Sequence, residues 1–106
     1  MKNNLKIALA QLNPIVGDVK GNIIKLIDIR NNLKDEVDII VAPELYVTGY
    51  PIDDLVLRND FLELVENEIN ILAKITNDGK AAIVLGAPRK EKNSIRNSVF
   101  VLDDGK

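Results

Sequence analysis

Three short apolar runs alternate with two stretches of helical periodicity, and this alternation constrains the fold more than any other feature. The runs are Leu5–Leu12, Val37–Ala42 and Ala81–Ala87. Each has the length of a strand and is mostly apolar, which is typical of strands covered on both faces. Strands joined through a helix form right-handed parallel βαβ units. The sequence therefore predicts an α/β fold built on a parallel sheet.

The first predicted helix follows Asp18, whose carboxylate is a good N-cap. Apolar residues at helical spacing should form its buried face: Val19, Ile23, Leu26, Ile27 and Leu33. Charged residues should form its solvent face: Lys20, Lys25, Asp28 and Arg30.

Asp60 is the predicted N-cap of the second helix and forms a capping-box-like pair with Glu63 three residues later. Asp78-Gly79 is the expected stop signal. The buried face of this helix should consist of apolar residues, namely Leu62, Val65, Ile69 and Leu72.

A fourth strand is predicted at Ser94–Leu102, antiparallel to the third because the charged connection between them, Pro88–Asn93, is short. The predicted order is therefore β-α-β-α-β-β. Asp104-Gly105 is a hairpin turn signal, and the chain stops one residue later. We therefore expect residues 1–106 to be the N-terminal portion of a truncated domain.

Composition narrows the function classes. A chain of 106 residues forms one domain at most, and its formal charge of −2 gives no electrostatic case for nucleic acid or an anionic membrane as partner. No run of about 18 apolar residues is present, and the N-terminus leads directly into a strand, so we expect a cytoplasmic protein. The chain has no cysteine and no histidine. Thiolate chemistry and a Ser-His-Asp triad are therefore excluded within it.

Glu44 is the best catalytic candidate. It comes directly after the second predicted strand, at the carboxyl end where open α/β sheets place their ligands. Pro43 should end the strand ladder, and Gly49 and Pro51 should hold Tyr50 in a loop of defined shape. Glu44 could act as a general base or acid. The alternative is an ordinary solvated loop carboxylate.

Other polar residues give weaker signals. Asp53 and Asp54 should shape the loop or cap backbone amides, and because no ligand spacing repeats we expect no metal site. Asn97-Ser98 could form a small polar site on the fourth strand, although a strand-pairing or bulge role is the simpler interpretation. No phosphate-binding glycine motif is present.

At the level of motifs, the chain resembles the nitrilase (carbon–nitrogen hydrolase) superfamily. Its opening matches at Ile7–Pro14 (IALAQLNP), Val16–Asp18 (VGD) and Asn22. Pro43–Leu45 (PEL), followed by Thr48–Tyr50 (TGY), resembles the first catalytic segment of the family.

A narrower resemblance covers Tyr50–Arg58 (YPIDDLVLR) and Asp60–Leu62 (DFL), which are similar to the glutaminase domain of the glutamine-dependent NAD synthetases. Asn97–Val99 (NSV) and Asp104–Lys106 (DGK) fit the strand that precedes the catalytic lysine of the family. Taken together, the two resemblances cover essentially the whole chain.

The resemblance implies an α-β-β-α sandwich of which this chain is a part, and a Glu-Lys-Cys triad. Glu44 matches the general base, and Tyr50 matches a tyrosine beside the pocket for the substrate glutamine. The lysine and cysteine match nothing in this chain, which alone should be inactive. Ammonia would pass to a synthetase domain that uses ATP and Mg²⁺ to amidate nicotinic acid adenine dinucleotide. Neither cofactor is expected in this segment. We expect the rest of the same enzyme as its partner, and a homo-oligomer.

Three alternatives stay open at the sequence level. The chain could belong to a nitrilase-superfamily amidase that acts on another amide, although the loop Pro51–Arg58 argues against this. It could be a small α/β binding module such as a receiver domain, but Asn13-Pro14 stands where a receiver would have an acidic pair. It could also be an inactive remnant that retains only the ability to associate.

Overall fold

Two helices cover one face of a four-stranded sheet in the computed structural model, which describes residues 4–49, 58–92 and 94–106. The elements are β1 (Ile7–Leu9), α1 (Val19–Leu33), β2 (Ile39–Val41), α2 (Asn59–Ile75), β3 (Ala82–Glu91) and β4 (Ser94–Leu102). The predicted order β-α-β-α-β-β is confirmed. Neither helix in the described ranges is long and apolar enough to cross a membrane.

The strands lie in the order β1-β2-β3-β4. As predicted, β1, β2 and β3 are parallel and β4 runs antiparallel to β3. The β3–β4 hairpin is longer than the sequence indicated. Within the charged connection predicted at Pro88–Asn93, residues 88–91 continue β3. The cross-strand pairing is uninterrupted from the pair of Ile83 with Leu102 to the pair of Glu91 with Ser94.

Helices α1 and α2 contact each other and share one core with the sheet. The predicted buried face of α2 is confirmed, while in α1 Ile27 and Leu33 are only partly buried. The side chains at the centre of this core are almost fully inaccessible to solvent: Val19, Leu26, Ile40, Val65, Leu72, Ile83 and Leu85.

The helix ends agree in part with the predicted signals. Asp18 caps α1 as predicted, and its Oδ1 accepts a hydrogen bond from the backbone N–H of Gly21 at 3.1 Å. The capping role predicted for Asp60 is wrong, because α2 begins at Asn59 and Arg58 occupies the N-cap. Asp60 instead lies in the first turn, where it forms an ion pair with Arg58 at 2.9 Å.

The two predicted Asp-Gly signals both lie in turns, one after α2 and one after β4. Helix α2 ends at Ile75, so the Asp78-Gly79 signal lies three residues later, in the turn before β3. Asp104 and Gly105 both have positive φ, as a type I′ hairpin turn requires. The backbone groups of Asp103 and Lys106 bond each other in both directions across that turn, which confirms the predicted hairpin geometry.

The solvent-face position predicted for Arg30 is wrong, because its side chain is completely buried. Its guanidinium donates to both carboxylate oxygens of Asp78, at 2.7 and 3.0 Å. It also donates to the backbone carbonyls of Ala81 and Ile75. Arg30 therefore ties α1 to the end of α2 and to the start of β3.

The prediction that β1 is covered on both faces is also wrong for this structure. On the face away from the helices, Leu9 is 70% exposed and Val99 is 72% exposed. The cross-strand pairs place apolar residues in rows across this open face: Ile7, Ile39 and Ala82 in one row, and Leu9, Val41, Val84 and Val101 in the next. The described residues thus form a sheet with one covered face and one open apolar face.

The pairing of Asp78 with Arg30 makes stability depend on pH. The Arg30 guanidinium, assisted by the backbone N–H of Lys80, holds the pKa of Asp78 well below its usual range. A carboxyl whose pKa is depressed by folding stabilises the native state above its unfolded pKa of about 3.9, and this contribution is lost as the pH falls further. We therefore expect the free energy of unfolding to fall between about pH 5 and pH 2 in urea titrations.

In the Asp78→Asn variant the same decline should be shallower, because that carboxyl no longer titrates. Asp28→Asn, on the exposed face of α1, is the matched control and should keep the slope of the unmodified chain. If Asp78→Asn also keeps that slope, the Arg30–Asp78 pair does not cause the loss of stability at acidic pH.

Candidate active site

Glu44 lies at the carboxyl end of β2, as predicted. The parallel ladder continues to the hydrogen bond from the Ala42 N–H to the Val84 carbonyl at 2.8 Å. Pro43 has no N–H to extend it, and residues 44–48 form a turn that lies over β3. The side chain of Glu44 is exposed at this strand end.

Gly86 of β3 determines how closely this turn can approach the sheet. A methyl group at position 86 would lie 2.6 Å from the backbone nitrogen of Leu45 and 3.0 Å from the Cα of Glu44. The Val47 N–H donates to the Gly86 carbonyl at 3.3 Å. A glycine is therefore required for the backbone of Glu44 to rest on β3.

Leu45 adopts a left-handed conformation, with φ of 51°, while its side chain is buried. A non-glycine residue in this region is uncommon and persists only where its surroundings impose it. Two contacts impose it on Leu45. Its nitrogen rests on Gly86 of β3, and its carbonyl accepts a hydrogen bond from the Gly49 N–H at 2.9 Å, which closes the turn. The backbone that carries Glu44 is thus held in one conformation.

Asn22 of α1 supports the turn from below and is fully buried. Its Nδ2 donates to the carbonyls of Val47 and Ile15, and its Oδ1 accepts from the Ile15 N–H, each at 2.9 Å. The hydroxyl of Tyr46 donates to the Asn22 carbonyl at 2.7 Å. Burial raises the pKa of Tyr46 to about 12, so the hydroxyl keeps its proton and this bond. One buried amide therefore joins α1 to the two loops of the site.

Gly49 closes the turn against the preceding loop. Its φ is +76°, and a methyl group there would lie 2.7 Å from the Cα of Val16. The Gly17 N–H donates to the Thr48 carbonyl at 2.8 Å. Gly49 therefore packs against the preceding loop, whereas the loop shape predicted for Tyr50 stays a prediction. Tyr50, Pro51, Asp53 and Asp54 lie outside the described residues.

The carboxylate of Glu44 has one hydrogen-bond partner among the described residues. Its Oε1 accepts from the Nδ2 of Asn97 on β4, 53 positions away in sequence. Asn97 shares the open face of the sheet with Val99 and Val101, because alternate residues of a strand point to the same side. The carboxylate is thus directed to the open face and not to the helix-covered core.

Asn97 and Ser98 pair regularly with Pro88 and Ala87, so the predicted strand-pairing role is confirmed and no bulge is present there. Asn97 also contacts Glu44, but Ser98 lies on the opposite face of β4, so the small polar site predicted as the alternative for both residues together is wrong. The sequence named Asn22 only as part of the opening motif, and neither it nor Tyr46 and Gly86 was predicted to support this site. For Asn22 a signal was available, since it lies three residues after Val19 on the buried stripe of α1.

The chemistry of this arrangement is that of a single carboxylate with one neutral donor. Within residues 4–49, 58–92 and 94–106, no group of three or more acidic side chains lies together in a way that could hold a metal ion. A groove between α2 and the β3–β4 hairpin, floored by Leu62, Ile69 and Phe100, does not include Glu44. A positioned carboxylate can accept a proton but cannot by itself cleave an amide.

The fold is that of the nitrilase-superfamily amidases. An amidase from Nesterenkonia sp. superposes with a TM-score of 0.75 at 18% identity, over 96% of this chain and 40% of that chain. The profile of the carbon–nitrogen hydrolase family matches residues 6–106, and the chain belongs to this family.

More specific relatives agree with the narrower resemblance. The glutamine-dependent NAD(+) synthetase of Thermotoga maritima is 34% identical over 102 residues, which are 95% of this chain and 18% of that protein. The solved glutamine-dependent NAD+ synthetase of Acinetobacter baumannii superposes with a TM-score of 0.83 at 32% identity, over 96% of this chain and 19% of that chain. The chain thus spans about a fifth of the length of these relatives.

Proposed function

We propose that this chain forms the N-terminal part of a glutamine amidohydrolase domain. The domain supplies ammonia for the ATP-dependent amidation of nicotinic acid adenine dinucleotide to NAD. The relatives named above support the reaction. The observation that carries the proposal is the carboxylate of Glu44, which lies on a rigid turn at a strand end and is directed to the open face by Asn97.

In this proposal Glu44 is the general base that removes the proton from a cysteine thiol. The thiolate attacks the amide carbon of glutamine, and a lysine stabilises the oxyanion. The sequence contains no cysteine, so the nucleophile would come from the remainder of the hydrolase domain. ATP and Mg²⁺ would bind in the synthetase domain, outside this segment, and we expect the enzyme to act in the cytoplasm.

The test compares two proteins. The first is the complete enzyme, meaning this segment joined to the remainder of the hydrolase domain and to the synthetase domain. It should release ammonia from glutamine. The second is the 106-residue chain, which should release none above the blank because it lacks the nucleophile. Clear turnover by the chain alone would contradict the triad, and a complete enzyme without glutaminase activity would contradict the proposed function.

For Tyr50 the proposed role is contact with glutamine beside the base. In the complete enzyme, Tyr50→Ala should raise the KM for glutamine while leaving synthesis from added ammonia unchanged, because the ammonia site lies in another domain. Steady-state kinetics with each nitrogen source measures the difference. Unchanged glutamine kinetics would indicate that Tyr50 packs in the loop and does not contact substrate.

The open face of the sheet leads to a prediction about association. In the complete enzyme we expect the second layer of the sandwich to cover this face. In the 106-residue chain it remains exposed, together with the edge strand β4, and large exposed apolar patches favour association. We expect the chain to self-associate in light scattering as its concentration rises.

A lysine on the open face should reverse this association. Val101→Lys replaces a side chain that is 64% exposed on that face. Ile71→Lys is the matched control, because Ile71 is a similarly exposed apolar residue on α2, away from the open face. A monodisperse, cooperatively unfolding monomer in the unmodified chain would contradict the prediction.

A further inference from the structure

We propose that Asn97 is a positioning residue for Glu44. By donating from Nδ2 to Oε1, it leaves Oε2 as the oxygen that receives the proton. This inference rests on the proposed function, since it assigns a task to the neighbour of the base. The base itself comes from the loop after β2, whereas Asn97 comes from β4, so the two are brought together only by the folded sheet.

Both partners in this contact have fixed backbones. On one side, the close approach of Gly86 to the Leu45 nitrogen and the Glu44 Cα leaves the turn little freedom to shift. On the other side, Asn97 lies within the uninterrupted β3–β4 ladder, opposite Pro88. Gly86 and Pro88 are two residues apart on β3, so the same strand supports both members of the pair.

The chemistry of an amide suits this task. A carboxamide N–H donates to a carboxylate but does not accept the proton that the base removes, so it orients the base without competing with it. Because no described residue donates to Oε2, that oxygen is the acceptor in the present geometry. An aspartate at position 97 would have nearly the same shape, but it would lose the donor and add a like charge.

A merely structural role makes a different prediction. A single hydrogen bond contributes little to the net stability of a protein, because its donor and acceptor bond to water in the unfolded chain. Loss of a purely structural contact would therefore leave glutamine hydrolysis almost unchanged. Loss of a positioning contact would slow hydrolysis, because the misplaced base is no longer in line with the thiol.

The experiment uses the complete enzyme with Asn97→Asp and Asn97→Ala. We expect kcat for glutamine hydrolysis to fall by about 10- to 100-fold in both, with KM close to the unmodified value. Asn97→Gln keeps a carboxamide donor and should recover part of the loss. Asn70→Ala, an exposed asparagine on α2, is the control and should keep the full rate. Synthesis from added ammonia should persist in all four variants.

Coupling to Glu44 is tested with the double variant Glu44→Gln/Asn97→Asp. If Asn97 acts only through the base, the double variant should be no slower than Glu44→Gln alone. Losses that multiply would overturn the positioning role, as would Asn97→Asp at the unmodified rate.

The contact itself is tested by NMR in the 106-residue chain, at concentrations at which light scattering detects no association. The side-chain amide signals of Asn97 should shift on Glu44→Ala, and those of Asn70 should not. A spectrum in which Asn97 does not respond would overturn the inference, whatever the enzyme does. If instead Asn97 responds but the complete enzyme hydrolyses no glutamine, the proposed function fails, and the positioning role fails with it. A glutaminase indifferent to Asn97→Asp refutes the positioning role alone.

Discussion

Arg30→Ala should lower the free energy of unfolding of the chain by a large fraction. Arg30 is fully buried, and its guanidinium serves the Asp78 carboxylate and the carbonyls of Ala81 and Ile75. Truncation removes every one of these donors and opens a cavity at the junction of α1, α2 and β3. The Asp78 carboxylate remains partly in solvent, so the cost comes from the cavity and from the carbonyls of Ala81 and Ile75, each of which loses its donor at about 1–3 kcal/mol. A small domain has a total stability of about 5–15 kcal/mol, so the loss is a large part of it.

Urea or thermal unfolding followed by circular dichroism measures this effect. Lys34→Ala is the matched control, because Lys34 approaches the same Asp78 at 3.8 Å but remains partly in solvent. A partly exposed pair of this kind contributes about 0–1 kcal/mol. If the two variants lose similar stability, the bonds of Arg30 do not hold the helices together as the structure indicates.

Arg30 also illustrates why part of the fold could not be predicted. Its position continues the buried stripe, since Val19, Ile23, Leu26 and Arg30 follow one another at spacings of four, three and four. The periodicity therefore placed position 30 in the core, while the charge of the residue argued for solvent. Charged side chains are almost never fully buried unless paired, and the partner Asp78 lies 48 positions away. The residues near Arg30 in the sequence therefore do not indicate that it pairs with Asp78.

The strands were predictable because period and length are local properties. Apolar runs joined through helices gave the parallel order of β1, β2 and β3, and the short link before Ser94 gave the antiparallel β4. Coverage was not predictable in the same way. An apolar strand indicates that both faces are to be covered, but it does not indicate by what. Here α1 and α2 cover one face, and the residues that face the other are exposed in the described chain.

The candidate site also has one part that could be predicted from the sequence and one part that could not. The place of Glu44 follows from the end of β2 and from Pro43, both of which can be read from neighbouring residues. Its contact with Asn97 depends on the β3–β4 register and on the space left by Gly86. A glycine in a strand indicates a close approach of some backbone, but the sequence does not say which one. Predicting this contact would have required the tertiary structure.

Glu44→Gln should reduce glutamine-dependent NAD synthesis in the complete enzyme by about 10²–10⁴-fold, the usual effect of losing a positioned base. The glutamine side chain introduced at position 44 keeps the shape of the glutamate, and its carbonyl oxygen can still accept the hydrogen bond from Asn97. It cannot accept a proton from a thiol. Synthesis from added ammonia should persist, since the ATP-using site does not need the triad. Rates measured with glutamine and with ammonium as nitrogen source give the comparison.

The alternative, that Glu44 is an ordinary loop carboxylate, predicts a different pattern for the same variant. Glutamine would replace its hydrogen bond, and both reactions would fall together, only as far as stability fell, by about 1–2 kcal/mol. The ratio of the two rates therefore separates the hypotheses, whereas either rate alone does not. Equal loss of both rates, or loss of neither, would mean that Glu44 is not the base, and the proposal would then have no catalytic group in this segment.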